Sequence, residues 1–217
     1  ETIASMVLQH TKDSFWGLIL NSAPPHYEDA PHIQVYKSDN SVKKMCRDLK
    51  IETVRKQKEY STQKVNLFHH WQEQEISSVM ISAGAPRTIN LQQCENLFQG
   101  ILNFMKAEGI LKDHRNKNSE NKGKTQIYKP DEEILVKTTT AGIFLQEVEV
   151  GSYLKQGQKI GEVRDIYSGK RLEELISSED GLLITLRQYP IVYEKEPVAI
   201  ILIEKKSWRE YLPWPAH

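Results

Sequence analysis

Two stretches near the carboxyl end decide the fold. The first reads Ala141-Gly142-Ile143-Phe144, followed by Leu154-Lys155-Gln156-Gly157-Gln158-Lys159-Ile160-Gly161-Glu162-Val163. The second reads Asp180-Gly181-Leu182-Leu183, followed by Val192-Tyr193-Glu194-Lys195-Glu196-Pro197-Val198-Ala199-Ile200-Ile201. Each copy places a turn glycine before short strands rich in branched side chains and closes on a second turn and a Val/Ile run. Two such halves cover each other's apolar face, so residues 126–205 are expected to form a small all-β sandwich or barrel. A scaffold of this kind says little about chemistry, which has to be sought upstream.

Upstream, the pattern changes to alternating helices and strands. Phe15-Trp16-Gly17-Leu18-Ile19-Leu20 is apolar on both faces, as suits a doubly covered strand of a parallel sheet. It runs into the polar, proline-rich stretch Asn21 to His32, at the strand end where open α/β sheets place their sites. A short strand is expected at 33–36, and Asn40 or Ser41 caps a helix with Val42, Met45, Cys46 and Leu49 on one side. The charged region 50–62 reads as a solvated loop, and 62–75 as a helix with Val65, Phe68 and Trp71 inward. Ser78 to Ser82 forms a second buried strand, ending at Ala83-Gly84-Ala85-Pro86-Arg87-Thr88-Ile89. Asn90 then caps an amphipathic helix with Leu91, Cys94, Leu97, Phe98, Ile101, Leu102 and Met105 on one stripe and Gly109 as its stop. The expected organisation is an α/β domain over 1–112, a polar linker over 113–125, the β-domain over 126–205 and an aromatic tail over 206–217.

Composition narrows the function classes. With 29 basic and 29 acidic residues in 217, there is no electrostatic attraction for nucleic acid or an anionic membrane. No apolar run approaches the ~20 residues that span a bilayer, and the first residues show no signal-peptide pattern. The expected location is the cytoplasm. Cys46 and Cys94 fall on apolar positions of predicted helices without CxxC spacing, so reduced core thiols are expected rather than a disulfide or a zinc knuckle.

The order of strand, Asn21-Ser22-Ala23-Pro24-Pro25 loop, helices, strand, Ser82-Ala83-Gly84-Ala85-Pro86-Arg87 loop, long helix and double β-repeat resembles the succinylglutamate desuccinylase/aspartoacylase family. The resemblance implies a zinc-carboxypeptidase-like parallel or mixed sheet domain joined to a small β-domain, and hydrolysis of an amide between an acyl group and an amino acid or similar amine. It also implies a zinc site whose third ligand, a histidine ending a strand, falls on Asn21, and a general-base glutamate that falls on Ser82. A neutral amide binds zinc far more weakly than imidazole, and a lone serine cannot deprotonate a metal-bound water at neutral pH. The family's early His-x-x-Glu has no counterpart at the matching place. Lys195 stands where the family pattern has a turn glycine.

These departures set the functional expectation: a diverged relative, without intact catalytic or metal residues and without a zinc cofactor of its own, that binds a small acyl-amine ligand or a partner subunit. An oligomer is expected. The second expectation is the distal part of an active zinc-dependent amidohydrolase, completed by an upstream segment or second chain. Substrate contacts are expected from His26, Tyr27 and Arg87, the last because a guanidinium clamps a carboxylate with two hydrogen bonds. Two other metal-like pairings have plainer readings. His70-Trp71-Gln72-Glu73 matches His-x-x-Glu on a helix, but also a solvated helix face. His26 and His32, with Glu28 and Asp29 between them, match a metal-binding acidic loop, but their plainer reading is hydrogen-bonded scaffold. The double repeat also resembles lipoyl and biotinyl carriers, but Asp165 to Arg171 lacks their lysine contexts, leaving Lys170 as an ordinary hairpin residue.

Overall fold

The computed structural model describes residues 2–36, 39–58, 67–112 and 125–203. In the α/β part, α1 (Thr2–Thr11) leads into β1 (Trp16–Asn21), then β2 (Tyr27–Val35), α2 (Asn40–Leu49), β3 (Thr53–Lys56), α3 (Leu67–Glu73), β4 (Ser77–Gly84) and α4 (Leu91–Ala107). The remainder is all β: β5 (Gln126–Tyr128), β6 (Glu133–Lys137), β7 (Gly142–Gln146), β8 (Tyr153–Leu154), β9 (Lys159–Arg164), β10 (Arg171–Ile176), β11 (Gly181–Arg187), β12 (Ile191–Val192) and β13 (Pro197–Ile203).

The two expected apolar strands lie side by side and parallel, β1 against β4, in a register that runs from Trp16 opposite Ser77 to Asn21 opposite Ser82. One face of this sheet buries Val79, Ile81, Ile33 and Val54 under Val42, Met45, Cys46 and Leu49 of α2, with Phe104 of α4 closing the core. The helix periodicity of α2 is therefore borne out residue for residue, although its cap is Asp39, whose carboxylate accepts from the Val42 N–H at 2.8 Å. On the opposite face Trp71 of α3 lies against Gly17, where any side chain would collide with the indole. The indole N–H donates to the Thr11 hydroxyl at 2.9 Å and so fastens α1 to the same face. Val65 lies outside the described residues.

Three segments depart from the sequence expectations. The stretch 27–32 is not loop but the first two thirds of β2, and 53–56, expected to be solvated loop, is β3 with Thr53, Val54 and Arg55 buried. Neither was visible locally because the partners that bury Arg55 and His32 come from distant strands. On α4 the buried positions are Gly100 and Phe104, with Leu97 and Ile101 packed partly against the core. Gly100 is required there because the Leu49 carbonyl approaches so closely that a Cβ would sit 2.6 Å from it. Leu91, Cys94 and Phe98, expected in the core, are exposed. Asn90 does cap the helix, accepting from the Gln93 N–H at 3.1 Å, and Gly109 follows its end at φ +72°.

The expected boundary at 113–125 does not divide the backbone ladders. β2 pairs along one edge with β4, antiparallel. Along its other edge it pairs first with β11, from Tyr27 opposite Arg187 to Asp29 opposite Thr185, and then in parallel with β3. β5 continues that edge beside β3. A mixed nine-stranded sheet therefore crosses both parts, in the order β1-β4-β2-β11-β13-β6 with β3, β5 and β8 attached, among the described residues. A second sheet, β10-β9-β7-β12, closes the all-β part over its own core of Phe144, Leu154, Ile160, Val163, Leu183 and Ile201. The two copies read from the sequence share this core but lie in different sheets: β7 and β9 of the first copy are in the second sheet, while β11 and β13 of the second copy are in the sheet that also holds β1, β2 and β4. Lys195 occupies its turn at φ +64°, the backbone region in which glycine is preferred. The aromatic tail beyond 205 and the residues 113–124 of the linker lie outside the described residues.

Candidate functional site

The carboxyl ends of β1 and β4 lie together, and the two loops that leave them are joined by a hydrogen bond from the Ala23 N–H to the Gly84 carbonyl at 3.2 Å. Beyond this junction a cleft of about 380 Å³ opens between His26, Tyr27 and Glu28 on one side and Ala85, Pro86, Thr88, Ile89 and Asn90 on the other, with Gln188 at its margin. It is the place where strand order and loop position predict a site. Two residues at its border hold left-handed backbone conformations without being glycine, His26 at φ +77° and Arg87 at φ +67°. Conformations of this kind persist where surrounding contacts impose them. For His26 those contacts are on hand: its carbonyl accepts from the Gln188 and Tyr189 N–H groups at 2.7 and 3.2 Å, and its ring stacks on Tyr189 with centroids 4.6 Å apart.

The structure thus brings His26 and Tyr27 into one cleft and puts Arg87 between two of its wall residues, exposed to solvent. Tyr27 is partly committed elsewhere. Its hydroxyl donates to the Pro197 carbonyl at 2.8 Å and accepts from Arg187 at 3.3 Å, and the Arg187 guanidinium lies 5.6 Å from its ring centre. Arg187 is buried and also meets Glu196 at 2.8 Å and the Tyr189 carbonyl at 2.8 Å. Glu28 holds its proton more tightly than an ordinary glutamate, first because it is partly buried, then because the Asp29 and Glu149 carboxylates lie near it. Sequence reasoning did not single out Gln188 or Arg187, and named Asn90 only as the cap of α4. Only the cross-strand register brings Gln188 and Arg187 to this end of the molecule.

The two positions that the family resemblance assigns to zinc chemistry are direct neighbours across the β1–β4 ladder, Asn21 opposite Ser82, and His32 of β2 is opposite Ser82 on the other side. Directly paired residues share a face, so Asn21, Ser82 and His32 form a row. Their environments differ. Asn21 is exposed and its amide approaches the Met80 sulfur at 3.9 Å. Ser82 is 1% exposed, and its hydroxyl donates to the Asp29 carboxylate at 2.6 Å; the other oxygen of that carboxylate accepts from the Thr185 hydroxyl, also at 2.6 Å. His32 is fully buried. Its Nδ1 donates to the Ala30 carbonyl at 2.8 Å, leaving Nε2 to accept from Gln34 at 3.1 Å and Arg55 at 3.4 Å. Burial, then the neighbouring Arg55 cation, lowers its pKa to about 4. Arg55 is itself held by both oxygens of Glu133 at 3.0 and 2.9 Å.

This donor set does not fit a zinc ion. His32 has both ring nitrogens engaged, Ser82 and Asp29 satisfy one another, and no group of three His, Cys, Asp or Glu residues converges among the described residues. His26 and His32, which flank the acidic pair Glu28 and Asp29 in sequence, are separated by the strand: one lines the cleft and the other is buried in the sheet. The second pairing, His70 with Glu73, is a side-chain contact at 3.4 Å on α3, where His69 lies 3.2 Å from the same carboxylate, which is the helix-face reading. Lys170 follows a turn built by Asp165, whose carboxylate accepts from the Tyr167 and Ser168 N–H groups. The thiols also part company: Cys46 is buried, which pushes its pKa up to about 12, whereas Cys94 is exposed. No helix of the described residues is long and apolar enough to cross a membrane.

No family model and no curated protein matches the sequence. Solved structures do match the fold. A succinylglutamate desuccinylase/aspartoacylase from Rhodobacter sphaeroides superposes with a TM-score of 0.70 at 14% identity over 92% of this chain and 63% of its own. The ectoine utilization protein EutE (DoeB) from Ruegeria pomeroyi gives 0.74 at 13% identity, over 91% of this chain and 64% of its own. A succinylglutamate desuccinylase from Silicibacter sp. TM1040 gives 0.73 at 12%, over 91% and 62%. The chain therefore spans less than two thirds of the length of these structures. Across nearly all of its own length, it has the fold of the succinylglutamate desuccinylase/aspartoacylase proteins.

Proposed function

We propose that this chain is a ligand-binding relative of the deacylase fold, in which the cleft at His26, Tyr27 and Glu28 takes a small carboxylated acyl-amine while the zinc-and-glutamate chemistry is absent from these residues. The observation that carries the reading is the Ser82–Asp29 hydrogen bond. At the position matched to the general base, the side chain is buried and spent on a neighbouring carboxylate, whereas the cleft beside it stays open. The cleft suits a carboxylate on two counts. Its wall includes Asn90 and the residues just before it, at the amino end of the 17-residue helix α4, where the peptide dipoles favour negative charge. Arg87 stands in the same wall segment and offers a guanidinium fork.

The test is calorimetric titration with a panel of N-acetyl and N-succinyl amino acids, alongside an assay for released amine with zinc supplied. Binding without turnover, weakened tenfold or more (about 1.4 kcal/mol) by Arg87→Ala, is the expected result. No binding by any member of the panel would remove the reading, and zinc-dependent turnover by the unmodified chain would replace it. That replacement is the second reading, the distal part of an active amidohydrolase completed by further polypeptide. It is favoured by the 62 to 64% coverage of the solved structures.

A further inference from the structure

Opposite charges stand apart on the two walls of the cleft. On the first wall Glu28 is half-buried, and no hydrogen bond or ion pair reaches its carboxylate among the described residues. Its neighbours on β2 are each committed, the Tyr27 hydroxyl to Pro197 and Arg187, and the Asp29 carboxylate to the Ser82 and Thr185 hydroxyls. Strand alternation keeps Glu28 away from both, since Asp29 is turned into the interior and the residue before it to the other face. Glu28 is the one carboxylate among the described residues that line the cleft. On the second wall, the one charged residue between Ala85 and Asn90 is Arg87, which is exposed and has no side-chain partner among the described residues.

A carboxylate is costly to keep at this place. Burial, then the Asp29 and Glu149 carboxylates, disfavour the charged form of Glu28. A cation seated against it offsets both effects at once. A metal ion is the poorer fit, because no three His, Cys, Asp or Glu side chains converge among the described residues. An ammonium group needs less: one carboxylate, a neutral acceptor such as the Gln188 amide oxygen, and room for the rest of its molecule, which a cleft of about 380 Å³ has.

We infer that Glu28 selects the charge of the ligand: the molecule bound in the cleft carries an ammonium group, received by Glu28, in addition to the carboxylate received on the Arg87 and Asn90 side. The inference rests on the proposed binding of a carboxylated acyl-amine and narrows that class to acyl-amines with a free amine distant from the carboxylate. N-acylated dicarboxylic amino acids fall outside it, because their second carboxylate would meet Glu28 with Asp29 and Glu149 nearby.

Calorimetric titration of the full chain at neutral pH with Nα-acetyllysine, Nα-acetylnorleucine and Nα-acetylglutamate tests the inference. The three probes share the acetyl amide and the α-carboxylate, and differ in a side chain that ends in an ammonium, a methyl or a carboxylate. The lysine derivative is expected to bind about tenfold or more tighter than the norleucine derivative, the scale of a hydrogen bond between charged groups, and the glutamate derivative weaker than both. In Glu28→Gln the advantage of lysine should fall below about threefold, with the norleucine affinity unchanged. Equal binding of all three by the unmodified chain would overturn the inference and leave the acyl-amine reading standing, whereas binding of none would remove that reading and the inference with it. A lysine preference that persists in full in Glu28→Gln would also overturn it, by placing the ammonium elsewhere.

Discussion

Ser82 and Asp29, 53 residues apart in the chain, meet at 2.6 Å in the interior, and the same carboxylate binds Thr185 from the far side of the presumed domain boundary. Replacing Ser82 by glutamate, the residue the family pattern has there, puts a second carboxylate beside Asp29 in the buried interior. We expect Ser82→Glu to lose about 3–5 kcal/mol of stability, the scale of an uncompensated buried charge, and Ser82→Ala about 1.5–3 kcal/mol for a lost hydrogen bond to a charged acceptor. Urea unfolding of the three proteins measures it. A fully stable Ser82→Glu protein would show that the site has room for the base after all.

His32 supplies a pH dependence. Its folded pKa is depressed to about 4, below the ordinary histidine value, so the unfolded chain binds the proton first as the pH falls. Stability from this group is complete above the unfolded value near 6.5 and is lost as the pH drops from about 6.5 toward 4, on the order of 3 kcal/mol in all. Thermal unfolding across that range should show the slope. In His32→Asn, whose amide N–H replaces the Nδ1–H donor to Ala30, the slope should flatten; an unchanged slope would place the titration elsewhere.

Arg187 binds Glu196, the Tyr189 and Ile191 carbonyls and the Tyr27 hydroxyl from a buried position. Arg187→Met should cost about 3–5 kcal/mol because Glu196 is left without its cation and two carbonyls without donors. Since Tyr27 loses its support, ligand affinity at the cleft should fall as well. Differential scanning calorimetry and the titration panel check both, and a stable variant with intact binding would separate the cluster from the cleft.

The β1 edge makes a prediction about residues 1–217 in isolation. Leu20→Lys places a charge on β1, the outermost strand of the sheet among the described residues, without touching a described packing partner, and should suppress self-association while leaving the melting temperature nearly unchanged. Light scattering against time reads the effect. Equal association of both proteins would show that β1 is not the adhesive edge.

Much of the fold can be read from local pattern. The 3.6-residue recurrence of Val42, Met45, Cys46 and Leu49 places α2, and two short apolar runs place β1 beside β4. Where reading fails, burial depends on partners far away in sequence. Arg55 looks like a loop cation until Glu133, 78 residues on, takes its guanidinium, and His32 looks like a loop ligand until β4 and Arg55 enclose it. Gly100 is invisible to any count of apolar residues, yet it decides which side of α4 is inside. The cleft was half legible, through the proline and glycine loops at 21–26 and 83–89. Gln188 belongs to it only through the pairing of β2 with β11.

That pairing has a mechanical consequence. β2 hands one edge first to β11 and then to β3, so a single nine-residue strand is hydrogen-bonded into both parts. Pulling the two parts against each other loads the same backbone hydrogen bonds in shear, and Asp29 ties the seam with one hydroxyl from β4 and one from β11. No slack remains for a hinge at this point, and the walls of the cleft, which draw on both parts, keep their spacing as a rivet keeps two plates.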